Sequence, residues 1–315
     1  MMLQVLPKDH EDLASVYDLI GDLNMRMNNW NEAYRNFSFA YDIKKIQLHF
    51  NHPDLGVTLN NIGNYYQAIG EYAVALHCYS KVLQCNIDQH NTAITKLNIG
   101  KIYTINGKVD NALDLAIEAR DILQQIETCS QIEFVHCQGI LGDIYFVQKD
   151  YIAAEHFYIT AFELSKKFLF IGDPVRTSCV KARVDLYEQN GNNQQAINFC
   201  LEQLTLYETH LGENHLSVVH LLMKVGEIQI NDDQHKFQVL KRALNILEEN
   251  DHIDYATMAT CLMMLVKCCV QQNQYEQVST FYMRALEVQE KIYPTNHPII
   301  IGTQILIAVQ EHRTN

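Results

Sequence analysis

Apolar and small residues recur along the chain at the three- and four-residue spacing of amphipathic helices. Residues 59–82 show this pattern most clearly. The first helix predicted there has a face formed by Leu59, Ile62, Gly63 and Tyr66. After a break at Gly70, the second predicted helix has a face formed by Tyr72, Ala75 and Tyr79. Because Gly63 and Ala75 have little or no side chain, the two helices are predicted to pack closely as a hairpin.

The same hairpin recurs along the chain. Alanines mark the second helix of five hairpins at separations of 42, 37, 42 and 42 residues, at Ala33, Ala75, Ala112, Ala154 and Ala196. Glycines keep the same phase on the first helix, at Gly21, Gly63, Gly100, Gly142 and Gly226. Two residue types that share one period indicate a structural repeat. We therefore predict an all-α chain of seven hairpins that begin near residues 14, 56, 93, 135, 177, 219 and 259, numbered below as repeats one to seven, in a single domain over 1–315.

A last apolar helix is predicted at about 298–311, without a partner helix, and is expected to cap the array. Turn residues that tolerate positive φ separate the helices of a hairpin, at Gly70, Asn106-Gly107, Asn190-Gly191 and Gln272-Asn273. Histidines precede three of the predicted helices, and we expect them to cap helix N-termini: His10, His52 and His297. A shortened turn is predicted at 231–234, and the seventh hairpin could begin one turn early, at 251–255.

Composition restricts the class of function. The chain has a net charge of −13 and shows no stripe of basic residues, so nucleic acid is not an expected partner. The nine cysteines show no CxxC spacing, so we expect reduced thiols in a cytoplasmic protein, with no metal and no cofactor. No segment reaches the length of about 18 apolar residues that would predict membrane insertion. Catalytic spacings such as HExxH, a P-loop or G-x-S-x-G are not found, and we do not expect an enzyme.

These hairpins resemble tetratricopeptide repeats, whose signature is W-x2-L-G-x2-Y, then A-x3-F, then P. Leu59 takes the W position, Ile62 the L position and Tyr79 the F position. The 42-residue period and the linker-like segments 8–14, 52–56 and 211–215 resemble arrays of the kinesin-light-chain type. This resemblance implies a right-handed α-solenoid whose first helices line a concave groove, where an LNN stretch holds peptides. Here that stretch is Leu59, Asn60 and Asn61.

The resemblance also implies which residues line the groove. The positions expected from the repeat register are Asp18, Asp22 and Arg26; Asn60, Asn64 and Gln67; Leu97 and Lys101; His136 and Asp143; Lys181 and Asp185; Met223 and Glu227; and Met263 and Lys267. Asn60 and Asn64 lie one helical turn apart, so their amides share a face and can pair with an extended peptide backbone. The alternative is that these asparagines are ordinary polar surface residues.

The predicted function is a non-catalytic protein-interaction module, or scaffold, that binds a linear protein or peptide segment in this groove. The peptide-binding residues that we predict are Asn60, Asn64, Gln67, Lys101, Asp143, Lys181, Asp185 and Lys267. Their mixed charges suggest a mixed-charge peptide, held by amides in the middle and by charge pairs on either side. The alternative is an accessory or regulatory domain of a larger protein whose other domain, such as an enzyme, lies outside this sequence.

Overall fold

The protein is described by a computed structural model that covers residues 11–27, 29–126, 131–228, 233–250, 254–293 and 297–314. All regular secondary structure within these ranges is helical. The first helices of the seven repeats are α1 (Glu11–Arg26), α3 (Pro53–Ala68), α5 (Gln89–Ile105), α7 (Gln131–Val147), α9 (Pro174–Gln189), α11 (Leu216–Glu227) and α13 (Tyr255–Gln271). The second helices are α2 (Trp30–Gln47), α4 (Tyr72–Val82), α6 (Val109–Gln125), α8 (Tyr151–Phe168), α10 (Asn193–Leu211), α12 (Asp233–Glu249) and α14 (Tyr275–Ile292). The terminal helix is α15 (Pro298–Thr314).

The chain divides into two compact halves, residues 1–164 and 165–315, which we call the N-terminal half and the C-terminal half. In each half the core lies between the two helices of a hairpin and the first helix of the next hairpin. In the N-terminal half, Ala75 and Tyr79 of α4 pack with Ile102 of α5. In the C-terminal half, Cys200 of α10 packs between Val184 of α9 and Val225 of α11. That the two halves form a single domain stays a prediction.

The glycine of the first helix receives a large side chain from the second helix. A Cβ atom on Gly63 would lie 2.6 Å from the ring of Tyr79, closer than real Cβ contacts. The same relation joins Gly21 to Phe37 and Gly142 to Tyr158. The helices of these hairpins therefore approach closely because one of them lacks a side chain at the crossing.

The predicted turns have the expected backbone. Positive φ angles occur at Gly70, Gly107, Gly191 and Asn273, with values of 83°, 72°, 74° and 57°. Lys149 reverses the fourth hairpin with a φ of 63°, although a lysine is not a typical turn signal. Residues 231 and 232 of the turn predicted at 231–234 lie outside the described residues, and α12 begins at Asp233.

Histidine capping is confirmed at two of the predicted positions. The Nδ1 atom of His52 accepts a hydrogen bond from the backbone N–H of Asp54 at 3.2 Å, and that of His297 from Ile299 at 3.3 Å. His215 caps α11 in the same way, through Ser217 at 3.1 Å. His10 lies outside the described residues. Each cap satisfies one of the N–H groups that the first helical turn leaves without a partner.

The terminal helix α15 packs on α14, where Thr303 Oγ1 donates to Gln289 Oε1 at 2.8 Å and Ile300 is fully buried. It therefore covers the last hairpin, as predicted for a capping helix. Its other side is also apolar, because five large side chains stay 42–58% exposed: Ile299, Ile301, Ile305, Leu306 and Val309. A capping helix usually has a polar outer face, so this cap is unusual.

Candidate functional site

The predicted amide residues of α3 form a hydrogen-bonded cluster with neighbouring helices. Asn64 Oδ1 accepts from the Tyr79 hydroxyl of α4 at 2.7 Å and from Asn98 Nδ2 of α5 at 3.1 Å. Gln67 Oε1 lies 2.9 Å from the same hydroxyl. Because a phenol carries a single hydrogen, it donates to one of the two amides at a time. Asn64 and Gln67 are thus held in place by the hairpin itself, and Asn98 links Asn64 to the next repeat.

Asn60 differs from Asn64. Its Oδ1 atom is buried and accepts no hydrogen bond from the described residues. A buried acceptor without a partner costs about 1–3 kcal/mol. Asn60 lies one helical turn before Asn64 on α3, so the unsatisfied oxygen lies beside the amide cluster. A donor from a ligand, such as a peptide N–H, would satisfy it.

Asp143 occupies in repeat four the position that Asn64 occupies in repeat two. Its Oδ1 accepts from the Tyr158 hydroxyl at 2.8 Å, the same relation as that between Asn64 and Tyr79. A tyrosine at the buried aromatic position of the second helix therefore pairs with the residue that follows the glycine of the first helix. A buried tyrosine hydroxyl needs such a partner, so part of the polarity at Asn64 and Asp143 serves the hairpin.

Lys101 and Lys267 are exposed at the corresponding positions of α5 and α13. Lys101 belongs to the N-terminal half, with Asn60, Asn64, Gln67 and Asp143. Lys267 belongs to the C-terminal half, with Lys181 and Asp185. The predicted residues thus fall into two sets, one in each half.

Two predicted groove positions are wrong. Leu97 is only 3% exposed and packs in the core between α5, α6 and α7. Asp18 is 7% exposed, and its Oδ2 accepts from Lys44 Nζ and from Thr58 Oγ1, each at 2.7 Å. The carboxylate faces α2 and α3 rather than a groove because a buried lysine pairs with it. Asp22, by contrast, forms an exposed ion pair with Arg26 at 2.9 Å.

The C-terminal half holds a cavity of about 330 Å³ between the first helices of repeats five, six and seven. Helix α9 contributes Lys181 and Asp185, and the wall from α11 and α13 is formed by His220, Met223, Lys224, Glu227, Ala256, Thr257 and Thr260. Four of the predicted groove positions therefore line one cavity: Lys181, Asp185, Met223 and Glu227. Met263 and Lys267 do not line it. A wider depression of about 610 Å³ lies on the loop around Gly212 and not on the first helices.

Lys224 organises the charges of this cavity. The lysine is only 8% exposed, and its ammonium group pairs with Asp185 Oδ1, with Glu188 Oε2 at 3.1 Å and with Glu227 Oε2 at 3.0 Å. Burial alone would lower the pKa of Lys224, but its bonds to Asp185 and Glu227 outweigh burial and raise the pKa above its ordinary value. The lysine therefore stays charged and fixes three carboxylates around itself.

The other titratable groups of the cavity respond to burial. Burial raises the pKa of Asp185, although its hydrogen bond to Lys224 opposes the shift. Burial also lowers the pKa of Lys181, and carboxylates of Glu227 and Asp185 oppose that shift. Burial, helped by Lys181, lowers the pKa of His220 to about 4, so its imidazole is neutral at pH 7. Perturbed pKa values in a cavity accompany catalysis in some proteins, but structural ion-pair networks produce them as well.

The sequence patterns did not identify several residues of the amide cluster on α3 and of the cavity between α9, α11 and α13. Tyr79 was identified only as a core position, and Asn98, His220 and Lys224 were not identified. The tyrosine in place of phenylalanine at position 79 was a usable signal, since its hydroxyl requires a partner. Lys224 had no comparable signal, because two of its three partners, Asp185 and Glu188, come from another helix, α9. Among the described residues, no group of three metal-ligating side chains is placed to hold a metal ion, and no described helix is long and apolar enough to cross a membrane.

Comparison with known proteins identifies the repeat. The family model of the tetratricopeptide repeat matches residues 12–88, which include α1 to α4. No curated protein sequence matches the chain.

Solved structures share the fold over most of the chain. A Rap protein in complex with Competence and Sporulation Factor is 13% identical, with a TM-score of 0.60, over 96% of this chain and 88% of that one. The Rap conjugation gene regulator of plasmid pLS20, in complex with the Phr* peptide, is 12% identical, with a TM-score of 0.55, over 97% of both chains. A variant of a Podospora anserina putative kinesin light chain with TPR-like repeats is 18% identical, with a TM-score of 0.51, over 64% of this chain and 98% of that one.

At these identities the structures share the fold with this chain and nothing more. The fold and the match at residues 12–88 agree with the hairpin register read from the glycines and alanines. The chain therefore has the fold of a tetratricopeptide-repeat α-solenoid, similar to kinesin-light-chain-like arrays and to Rap proteins.

Proposed function

We propose that the protein is a non-catalytic interaction module that binds an extended peptide segment of a protein partner along the first helices of its repeats. In the N-terminal half the contact residues are Asn60, Asn64 and Gln67 of α3, together with Lys101 of α5 and Asp143 of α7. The observation that carries this proposal is the buried Asn60 Oδ1 atom, which no described residue satisfies. An extended peptide offers a backbone N–H to such an oxygen whatever its sequence.

The amide cluster supports the same proposal. Tyr79 and Asn98 hold the carbonyl oxygen of Asn64, so its NH₂ group is the part available to a peptide carbonyl. Asn60 and Asn64 would then provide an acceptor and a donor one helical turn apart. Because neighbouring groups fix Asn64, little side-chain entropy is lost on binding. A Rap protein with this fold was solved with Competence and Sporulation Factor, and another with the Phr* peptide, and the second complex supports the proposal of peptide binding here.

Lys181, Asp185 and Lys267 extend the proposal to the C-terminal half, where they would contact charged side chains of a partner segment. The net charge of −13 favours partners that carry lysine or arginine.

The eight described cysteines are buried thiols, which fits a reducing compartment, and we propose a cytoplasmic location. The alternative, an accessory domain of a larger protein, would use the same surfaces and stays a prediction.

The proposal is tested with peptides selected from a random library on the wild-type protein. The Kd of the selected peptides is then measured by fluorescence polarisation for the wild type and for the Asn60→Ala/Asn64→Ala variant. Loss of two hydrogen bonds should weaken binding roughly tenfold or more. Asn111→Ala is the control, because Asn111 is exposed on the second helix α6, and it should bind like the wild type. Equal affinity of the double variant and the wild type would contradict the proposal.

A further inference from the structure

The cavity between α9, α11 and α13 offers mostly hydrogen-bond acceptors. The hydroxyl of Thr257 donates to Asp254 Oδ2 at 2.6 Å, and that of Thr260 donates to the backbone oxygen of Ala256 at 3.0 Å. Both hydroxyl hydrogens are therefore used inside α13 and its cap. Toward a ligand, each hydroxyl oxygen presents lone pairs only.

The carboxylates of the cavity also have acceptor capacity left. Lys224 bonds to one oxygen of Asp185 and one oxygen of Glu227, while the two side chains remain 46% and 49% exposed. A carboxylate has two oxygens, so each residue retains one that Lys224 does not use. The buried ammonium group fixes both carboxylates in place and leaves their second oxygens for a ligand.

The balance of charged groups around the cavity determines whether a cation or an anion would bind there. Two ammonium groups, Lys181 and Lys224, stand against four carboxylates, those of Asp185, Glu188, Glu227 and Asp254. Carboxylates therefore outnumber ammonium groups at the cavity. A cation would offset this excess of negative charge in a partly buried place, whereas an anion would add to it.

The size and the apolar part of the wall limit the ligand to one side chain. A volume of about 330 Å³ lies at the lower end of small-ligand cavities. Met223 and Ala256 offer apolar surface to a methylene stem, and the same cavity is lined by the acceptors. Arginine combines such a stem with a planar group of five donors and no acceptor, which can span two carboxylates.

We propose that this cavity binds the guanidinium group of an arginine side chain in a partner segment, held between Asp185 and Glu227 with the hydroxyls of Thr257 and Thr260 as further acceptors. The inference rests on the proposed peptide-binding function and names one side chain that the C-terminal half selects. It adds Thr257, Thr260 and Glu227 to the residues predicted for binding. A lysine would reach the same carboxylates with a weaker, single-point contact.

The test uses the tripeptide N-acetyl-Gly-Arg-Gly-amide and the full chain. Titration is followed by the NMR methyl signals of Ala256, Thr257 and Thr260. The matched probe replaces arginine with citrulline, which has nearly the same shape and no charge, and should bind at least about tenfold more weakly. The Glu227→Gln variant should weaken binding of the arginine peptide about five- to tenfold, and Glu202→Gln on the exposed side of α10 should leave it unchanged.

Equal binding of the arginine and citrulline peptides would overturn the inference, as would tighter binding of N-acetyl-Gly-Glu-Gly-amide. Both comparisons use the wild-type chain, so they hold even if a variant fails to fold. The inference and the proposed function fail separately. Selected peptides that respond to the asparagine variant while the arginine probe leaves Thr257 and Thr260 unshifted would remove only the arginine site. If the arginine probe shifts the signals but the library yields no binding peptide, only the proposed general function is contradicted.

Discussion

At the scale of single residues, the second helix of a hairpin determines which partner a polar group of the first helix has. Where the buried aromatic position is tyrosine, its hydroxyl bonds to the residue that follows the glycine, as in Tyr79–Asn64 and Tyr158–Asp143. Cys200 stands at that position in repeat five and offers no hydroxyl, so Asp185 pairs with Lys224 instead. The hydrogen-bond partner of the residue after the glycine therefore depends on a side chain 15 residues later in the same hairpin.

His220 predicts a pH dependence at the same scale. Its pKa is lowered from 6.5 to about 4 by burial and by Lys181. Between these two values the unfolded chain binds a proton that the folded chain does not, so the folded state loses stability as the pH falls from about 6.5 to 4. The free energy of unfolding, measured by urea titration, should fall by up to roughly 3 kcal/mol more in the wild type than in His220→Gln over this range. Parallel curves for the two proteins would contradict the buried neutral imidazole.

At the scale of secondary-structure elements, the hairpins were predictable because two patterns coincide. The amphipathic spacing indicates helices, and the repeated glycines and alanines indicate which faces cross. Local rules also placed the caps, since His52 and His297 act on the backbone only two residues ahead. Helix lengths are less predictable: α4 has 11 residues and α11 has 12, whereas a 42-residue period leaves roughly 15–17 residues for each helix of a hairpin. The length of a repeat fixes the total number of residues in its helices and loops, but not how those residues are divided between helices and loops.

The crossing in the fourth hairpin gives a prediction for α7, which contains two glycines in different environments. A Cβ at Gly142 would overlap the ring of Tyr158, whereas a Cβ at Gly139 would meet no atom within 4 Å. Gly142→Ala should therefore destabilise the protein by about 1–3 kcal/mol. Gly139→Ala should stabilise it by up to about 1 kcal/mol, because alanine favours a helix more than glycine does. Urea midpoints measure both, and two shifts of the same sign would contradict the crossing.

At the scale of the whole molecule, the fold could be predicted further than the site. The fold follows from periodic packing that recurs in every repeat, so errors in one repeat are corrected by the others. The site depends on contacts between helices of different repeats, such as Asn98 with Asn64 and Lys224 with Asp185. Asp18 shows where the repeat register fails to predict the site. Its position in the repeat is that of a groove residue, but the buried Lys44 of α2 pairs with it. Side-chain partners of this kind do not repeat and leave no period in the sequence.

The two halves also differ in the chemistry that they would offer a partner. The α3 cluster presents amides, which suit a peptide backbone, and the α9–α11–α13 cavity presents carboxylates and hydroxyls, which suit a basic side chain. A single segment or two separate segments could be bound. Peptides selected on the wild-type chain distinguish these cases by whether one peptide responds to both the Asn60 and the Glu227 variants.

We propose that Asn60 serves binding and not stability. Its Oδ1 is buried without a partner, so Asn60→Ala removes an unsatisfied acceptor. The most direct measurement is the affinity of a selected peptide for this variant, taken together with the free energy of unfolding of the same sample. Peptide affinity should fall roughly three- to tenfold, while the free energy of unfolding stays unchanged or rises. Unchanged affinity, or a loss of stability without a loss of affinity, would contradict the account.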